Sequence, residues 1–269
     1  MTDFLAAVLL GVIEGVTEFL PISSTGHLLI AERWLGHRSD LFNIAIQAGA
    51  ILAIVLIYRQ RLWELVVGFA TRPEARSYSL KLAVAFLATA VLGLVVKKLG
   101  WELPTTIRPV AWALVIGAIW MLVAEQLAAR RAQALGERVE VSWTTAVLVG
   151  IAQVVAGVFP GTSRSSVTIF VALLSGTTNR VAATEFAFLL GIPTMFAATG
   201  YQLLAVYKDG GIGGEDWTAL AVAFVAAMGT AFVSVKWLLR YIQSHRFTAF
   251  ALYRIVLAAA LLLLVPSGQ

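Results

Sequence analysis

Cysteine is absent from all 269 residues, which excludes disulfides and thiol chemistry. Charge is scarce as well: Asp, Glu, Lys and Arg make up 13% of the chain, where a soluble domain carries about 25%. Histidine occurs three times. The opening MTDFLAAV has no basic n-region and carries Asp3, so no cleaved signal peptide is expected. What is abundant is hydrophobicity, at 59% of residues and a mean hydropathy of +0.86. That composition excludes an ordinary soluble domain and reads as an all-α polytopic membrane protein. Apolar runs at 41–58, 79–96, 107–124, 181–207, 217–235 and 247–265 approach or exceed the length needed to cross ~30 Å of hydrocarbon. The net charge of +5 does not call for nucleic acid. The excess Lys and Arg sits in short loops, where it reports orientation in a membrane.

The chain also repeats itself. GVIEGVTEFLPISSTGH (11–27) aligns without gaps with GIAQVVAGVFPGTSRSS (150–166), so that Gly11 meets Gly150, Pro21 meets Pro160 and Ser24 meets Ser163. Glu14 faces Gln153 in this alignment, and Glu18 faces Gly157. Each copy is an apolar helix broken by Pro and Gly and resumed after a polar tip. Such a pair is expected as a re-entrant hairpin, which membranes tolerate only where it is buried in protein or lines a wet cavity. One hairpin and three spans make each half, 1–127 and 143–265. The expected fold is therefore six transmembrane helices plus two re-entrant hairpins in an inverted-topology repeat. Of the 20 basic residues, twelve fall in loops on one side and six on the other, while Arg164 and Arg254 fall inside membrane segments. The richer side is read as cytoplasmic, with loop 128–142 on it and both termini outside.

The tips carry the chemistry. Glu14 and Glu18 share a helix face at i, i+4 spacing. Intramembrane carboxylates mark functional sites, and an adjacent pair suits a hard divalent cation, Mg²⁺ or Ca²⁺. Ser24 and His27, at i, i+3, suggest a nucleophile and base, although His27 itself can attack phosphorus. In PGTSRSSVT (160–168) a helix start, several hydroxyls and Arg164 make an anion site. Acids, Ser and His on one wall and Arg on the other point to phosphoryl transfer with bound metal. Glu185 and Arg254, both near the cytoplasmic ends of their spans, are expected to form a structural ion pair, or Arg254 to snorkel.

EGVTEFLPISSTGH and PGTSRSSVT resemble the two signature motifs of the bacterial undecaprenyl-diphosphate phosphatase family, also called the bacitracin-resistance family. The resemblance covers essentially the whole chain. It implies a multi-pass enzyme of the bacterial inner membrane, with a metal-dependent site open to the periplasm. Such an enzyme hydrolyses undecaprenyl diphosphate to undecaprenyl phosphate and inorganic phosphate, recycling the lipid carrier of cell-wall synthesis. By position, the family's metal and catalytic carboxylates fall on Glu14 and Glu18, and its catalytic Ser and His on Ser24 and His27. Its phosphate-binding residues fall on Ser163, Arg164, Ser165 and Thr168, and Thr25 joins that set. The expected partners are the polyprenyl diphosphate substrate and membrane lipids, with oligomeric state left open and a dimer among the options. A metal-independent lipid phosphatase is excluded by spacing, because no K-x₆-R-P precedes STGH and Phe170 stands where its second His belongs. The remaining alternative is a transporter or flippase of a polyprenyl phosphate lipid, since inverted repeats with broken helices are the usual transporter plan.

Overall fold

The computed structural model describes residues 3–100, 107–208, 210 and 215–264. Residues 1–2 and 101–106 of the expected first half, and 209, 211–214 and 265 of the expected second half, lie outside them. Among the described residues the chain forms eleven α-helices. The first half comprises α1 (Asp3–Thr17), α2 (Ser24–Leu35), α3 (Asp40–Ile57), α4 (Arg59–Gly68), α5 (Pro73–Lys98) and α6 (Ile107–Leu135). The second comprises α7 (Trp143–Val158), α8 (Arg164–Ser175), α9 (Arg180–Lys208), α10 (Trp217–Ser244) and α11 (Thr248–Leu264). Helix starts follow local chemistry. The side chains of Ser39, Ser142 and Asp216 accept hydrogen bonds from backbone N–H groups in the first turns of α3, α7 and α10. Pro73 opens α5, where its missing N–H has no intrahelical partner to lose.

By length and composition, α3, α5, α6, α9 and α10 are able to cross a membrane. The sixth apolar run forms α11, 17 residues long, or roughly 26 Å at 1.5 Å per residue. Two expectations need adjusting. α6 continues to Leu135, so much of the stretch read as loop 128–142 is helix. The segment after α3, read as loop, forms α4.

The halves interleave. α1 packs on α10 and α7 packs on α5, so each tip-bearing first arm lies against a long helix of the other half. Gly11 and Gly150 are the contact points. A Cβ on Gly11 would sit 3.0 Å from the Ala223 Cα, and one on Gly150 would sit 3.0 Å from the Ala85 Cα. Only glycine lets the two backbones approach so closely. Both pairs run parallel: Gly15 follows Gly11 up α10 to Ala231, and Gln153 follows Gly150 up α5 to Thr89. α6 packs on α11 and α3 on α9, again one helix from each half. The largest cluster of buried apolar residues draws on both halves.

Ser23 and Ser163 are the only non-glycine residues with positive φ among the described residues, at 73° and 70°. Each immediately precedes the resumed helix, α2 or α8. A side chain in this backbone region costs on the order of 1 kcal/mol or more and persists only where neighbours hold it. These two serines are the structural equivalents. The gapless alignment of Ser24 with Ser163 thus slips by one residue at the tip, and Arg164 stands opposite Ser24. The slip arises because the second hairpin has one more residue between its contact glycine and its cap.

Candidate active site

Glu18 follows the end of α1, and its N–H still donates to the Glu14 carbonyl at 2.9 Å. Its carboxylate is the hub of the site. Oε1 accepts from the Arg164 Nη2 at 3.1 Å, and Oε2 accepts a short hydrogen bond from the Ser24 hydroxyl. The charged acid of one hairpin thus joins the first residue of α2 to the first residue of α8. The Arg164 guanidinium lies 5.8 Å from the Phe19 ring centroid and passes Gly191, where a Cβ would collide with it. Ser165 ties the tips together a second time, its hydroxyl donating to the Leu20 carbonyl at 3.2 Å.

Glu18, Ser24, Thr25, Ser163 and Arg164 line a single groove of about 460 Å³, together with Gln47, Gln153, Thr194 and Lys97. Five of the expected site residues are thereby brought together. Glu14 is buried and lines an adjoining recess of about 420 Å³, shared at Ser24, Thr25 and Gln47. Its Oε2 has no hydrogen-bond partner. A buried, unpartnered carboxylate oxygen one helical turn from a second carboxylate is a donor set that suits a hard cation. Glu14 and Glu18 thus fit the expected metal, although no cluster of three or more His, Cys, Asp or Glu occurs among the described residues.

Other expected residues point elsewhere. The Thr168 hydroxyl donates to the Arg164 carbonyl at 2.8 Å, within its own helix. Ser165 and Thr168 do not line the groove. The Ser24–His27 pair is not assembled either. The His27 ring does not line the groove; its Nδ1 lies 2.7 Å from the Ser23 carbonyl and its Nε2 2.6 Å from the Tyr253 hydroxyl. At i, i+3 two side chains stand about 60° apart around the helix axis, enough for Ser24 to donate to Glu18 while His27 meets α11.

Arg254 differs from both expectations for it. It is fully buried and donates to the carbonyls of Gly161 at 2.9 Å and Thr162 at 3.0 Å. The broken second hairpin leaves these carbonyls without helical donors, and guanidinium supplies them. Glu185 pairs instead with Arg61 at 3.0 Å.

Gln153, Gln47 and Tyr253 went unassigned by sequence reasoning. Gln153 had one signal, its place opposite Glu14 in the repeat. In the structure its amide donates to Thr89 at 3.0 Å and Thr194 at 3.3 Å, joining α5, α7 and α9 in the wall of the groove.

Residues 7–260 match the family described as "Bacitracin resistance protein BacA". Proteins named "Undecaprenyl-diphosphatase" are similar throughout. One from Rhizobium etli (strain CIAT 652) is 66% identical over 266 residues, 99% of this chain and 98% of the relative. One from Rhizobium johnstonii is 64% identical, with the same shares covered. One from Xanthomonas oryzae pv. oryzae (strain PXO99A) is 64% identical over 268 residues, 100% of this chain and 99% of the relative.

Proposed function

This chain belongs to the bacitracin resistance protein BacA family, and from that premise we propose how its residues hydrolyse undecaprenyl diphosphate to undecaprenyl phosphate and inorganic phosphate. The hydrolysis regenerates the lipid carrier of cell-wall polymer synthesis and underlies resistance to bacitracin. The observation that carries the mechanism is the chain of contacts Ser24–Glu18–Arg164 along one groove, built from both halves. A hydroxyl that donates to a buried carboxylate is a nucleophile already on its base. Ser24 attacks the terminal phosphorus, its proton passes to Glu18, and undecaprenyl phosphate leaves. Water then cleaves the phosphoserine, releasing inorganic phosphate and restoring the hydroxyl. Arg164, the Ser163 hydroxyl and the N-terminus of α8 hold the phosphoryl oxygens. Glu18 replaces His27 as the base in this scheme because the carboxylate, not the imidazole, touches Ser24. Glu14 and Glu18 would hold the divalent cation, which supplies charge neutralisation at the diphosphate.

A purified-protein assay of phosphate release from a prenyl diphosphate tests this reading. Release is expected to stop in EDTA and return with Mg²⁺ or Ca²⁺. A transporter of polyprenyl phosphate would release no phosphate, and full turnover in chelator would remove the cation.

The same reading places six spans and two re-entrant hairpins in the bacterial inner membrane. Both termini are then periplasmic and the groove opens to the periplasm. The twelve-to-six bias of basic residues supports it, as does the packing of α1 parallel to α10 and α7 parallel to α5. Single cysteines introduced at Asp3 and Glu137 are expected to react with impermeant reagents from opposite sides. Reaction of both from one side would sink the inverted arrangement.

A further inference from the structure

α11 touches both hairpin tips through adjacent residues. Arg254 holds the carbonyls of Gly161 and Thr162, just before the strained Ser163. Tyr253, its neighbour, reaches the other tip through His27. The Tyr253 and His27 rings are parallel, 3° apart in plane with centroids at 5.6 Å, and the hydroxyl lies 2.6 Å from Nε2. On the opposite edge, Nδ1 lies 2.7 Å from the carbonyl of Ser23, the strained cap of the first tip. A carbonyl only accepts, so Nδ1 carries the hydrogen. In the neutral ring Nε2 is then a bare lone pair, and the Tyr253 hydroxyl donates to it. Nothing in the proposed chemistry uses this side of α2, and neither ring lines the groove.

We propose that Tyr253 is a positioning residue. Its hydroxyl locks His27 in the Nδ1–H tautomer, His27 in turn holds the Ser23 carbonyl, and the held cap keeps the Ser24 hydroxyl on Glu18. With Arg254 beside it, α11 braces both tips from one helical position. The kinetic part of this proposal rests on the phosphatase reading of the groove, whereas the tautomer part does not.

Tyr253→Phe keeps the stacked ring and removes only the donor. Diethyl pyrocarbonate acylates the bare nitrogen of a neutral imidazole, so a capped Nε2 is shielded. In the purified variant, peptide-resolved modification of His27 is expected to accelerate several-fold relative to His37 and His245. The turnover number is expected to fall about 10-fold at unchanged KM, in the range of outer-shell defects. Unchanged modification of His27 would remove the hydrogen bond and the proposal with it. Faster modification with wild-type turnover would remove the positioning role, and slower turnover without faster modification would assign the loss to packing. His27→Asn is the second variant and stands alone if Tyr253→Phe does not accumulate. Asparagine places an N–H where Nδ1–H was and has nothing at Nε2. It is expected to stay within about 10-fold of wild type, while His27→Ala loses more, up to ~100-fold. Equal inactivity of the two would make Nε2 the working atom and overturn the proposal. If the wild type released no phosphate, the phosphatase reading would fail, while the modification result would still decide the hydrogen bond.

Discussion

Glu18→Gln is expected to release phosphate about 10²–10⁴-fold more slowly than wild type, the range general-base catalysis supplies. Glutamine has the same shape but no negative charge, so it is a poor acceptor for the Ser24 proton. It also leaves Arg164 without its counter-ion, 3.1 Å from the substituted group. The two consequences separate experimentally. Loss of the base, together with loss of the cation that Glu18 would hold, appears in the turnover number of correctly inserted protein. Loss of the ion pair appears in thermal stability, because a charge left unpaired in a largely buried setting destabilises by several kcal/mol. Near-wild-type turnover would show that Glu18 is not the base, whatever happened to stability. Steady-state phosphate release and a melting curve on the same detergent-purified sample decide the matter.

Arg164→Lys is expected to insert normally and to lose roughly 10²–10³ in kcat/KM, about 3–4 kcal/mol, comparable to removal of one preorganised oxyanion donor. The transferring phosphoryl group spreads charge over its equatorial oxygens. A planar fork grips two of them, whereas an ammonium is a point donor on a different stem. The surroundings fit the fork. The Phe19 ring lies 5.8 Å from the guanidinium carbon, and Gly191 leaves room that any Cβ would fill. If Arg164 served only to neutralise Glu18, lysine would substitute well in turnover. A correctly inserted Arg164→Lys enzyme working at the wild-type rate would therefore detach the second hairpin from the chemistry.

The two predictions draw on features that differ in how readily the sequence shows them. Glu14, Glu18 and Arg164 stood out because the cost of ionisable groups in hydrocarbon leaves few reasons for them other than function, and Ser24 stood out by its place beside the acids and His27. The internal repeat was equally readable, because Gly11 and Gly150 answer the same local demand, a helix backbone pressed on another backbone. α4 was not readable, since its apolar residues (Trp63, Val66 and Val67 among them) lie exposed at the end of a span and leave no run long enough to register.

Hydropathy, the repeat and the polar tips, all local properties of the chain, determined that this protein is a helical membrane enzyme with paired acids and an arginine at its centre. Tertiary packing alone decided which groups meet. Ser24 and His27 are three residues apart, yet Ser24 donates to Glu18 while His27 meets Tyr253, 226 residues away. Arg254 lies in an apolar run where sequence alone offered Glu185 as its partner, yet it serves the carbonyls that the broken second hairpin leaves without donors. Spacing along a chain fixes only which side chains share a helix face. Which partner each face meets depends on the rotation and crossing of helices distant in sequence. That is set largely by the need to give donors and acceptors to the backbone groups that two broken helices leave open.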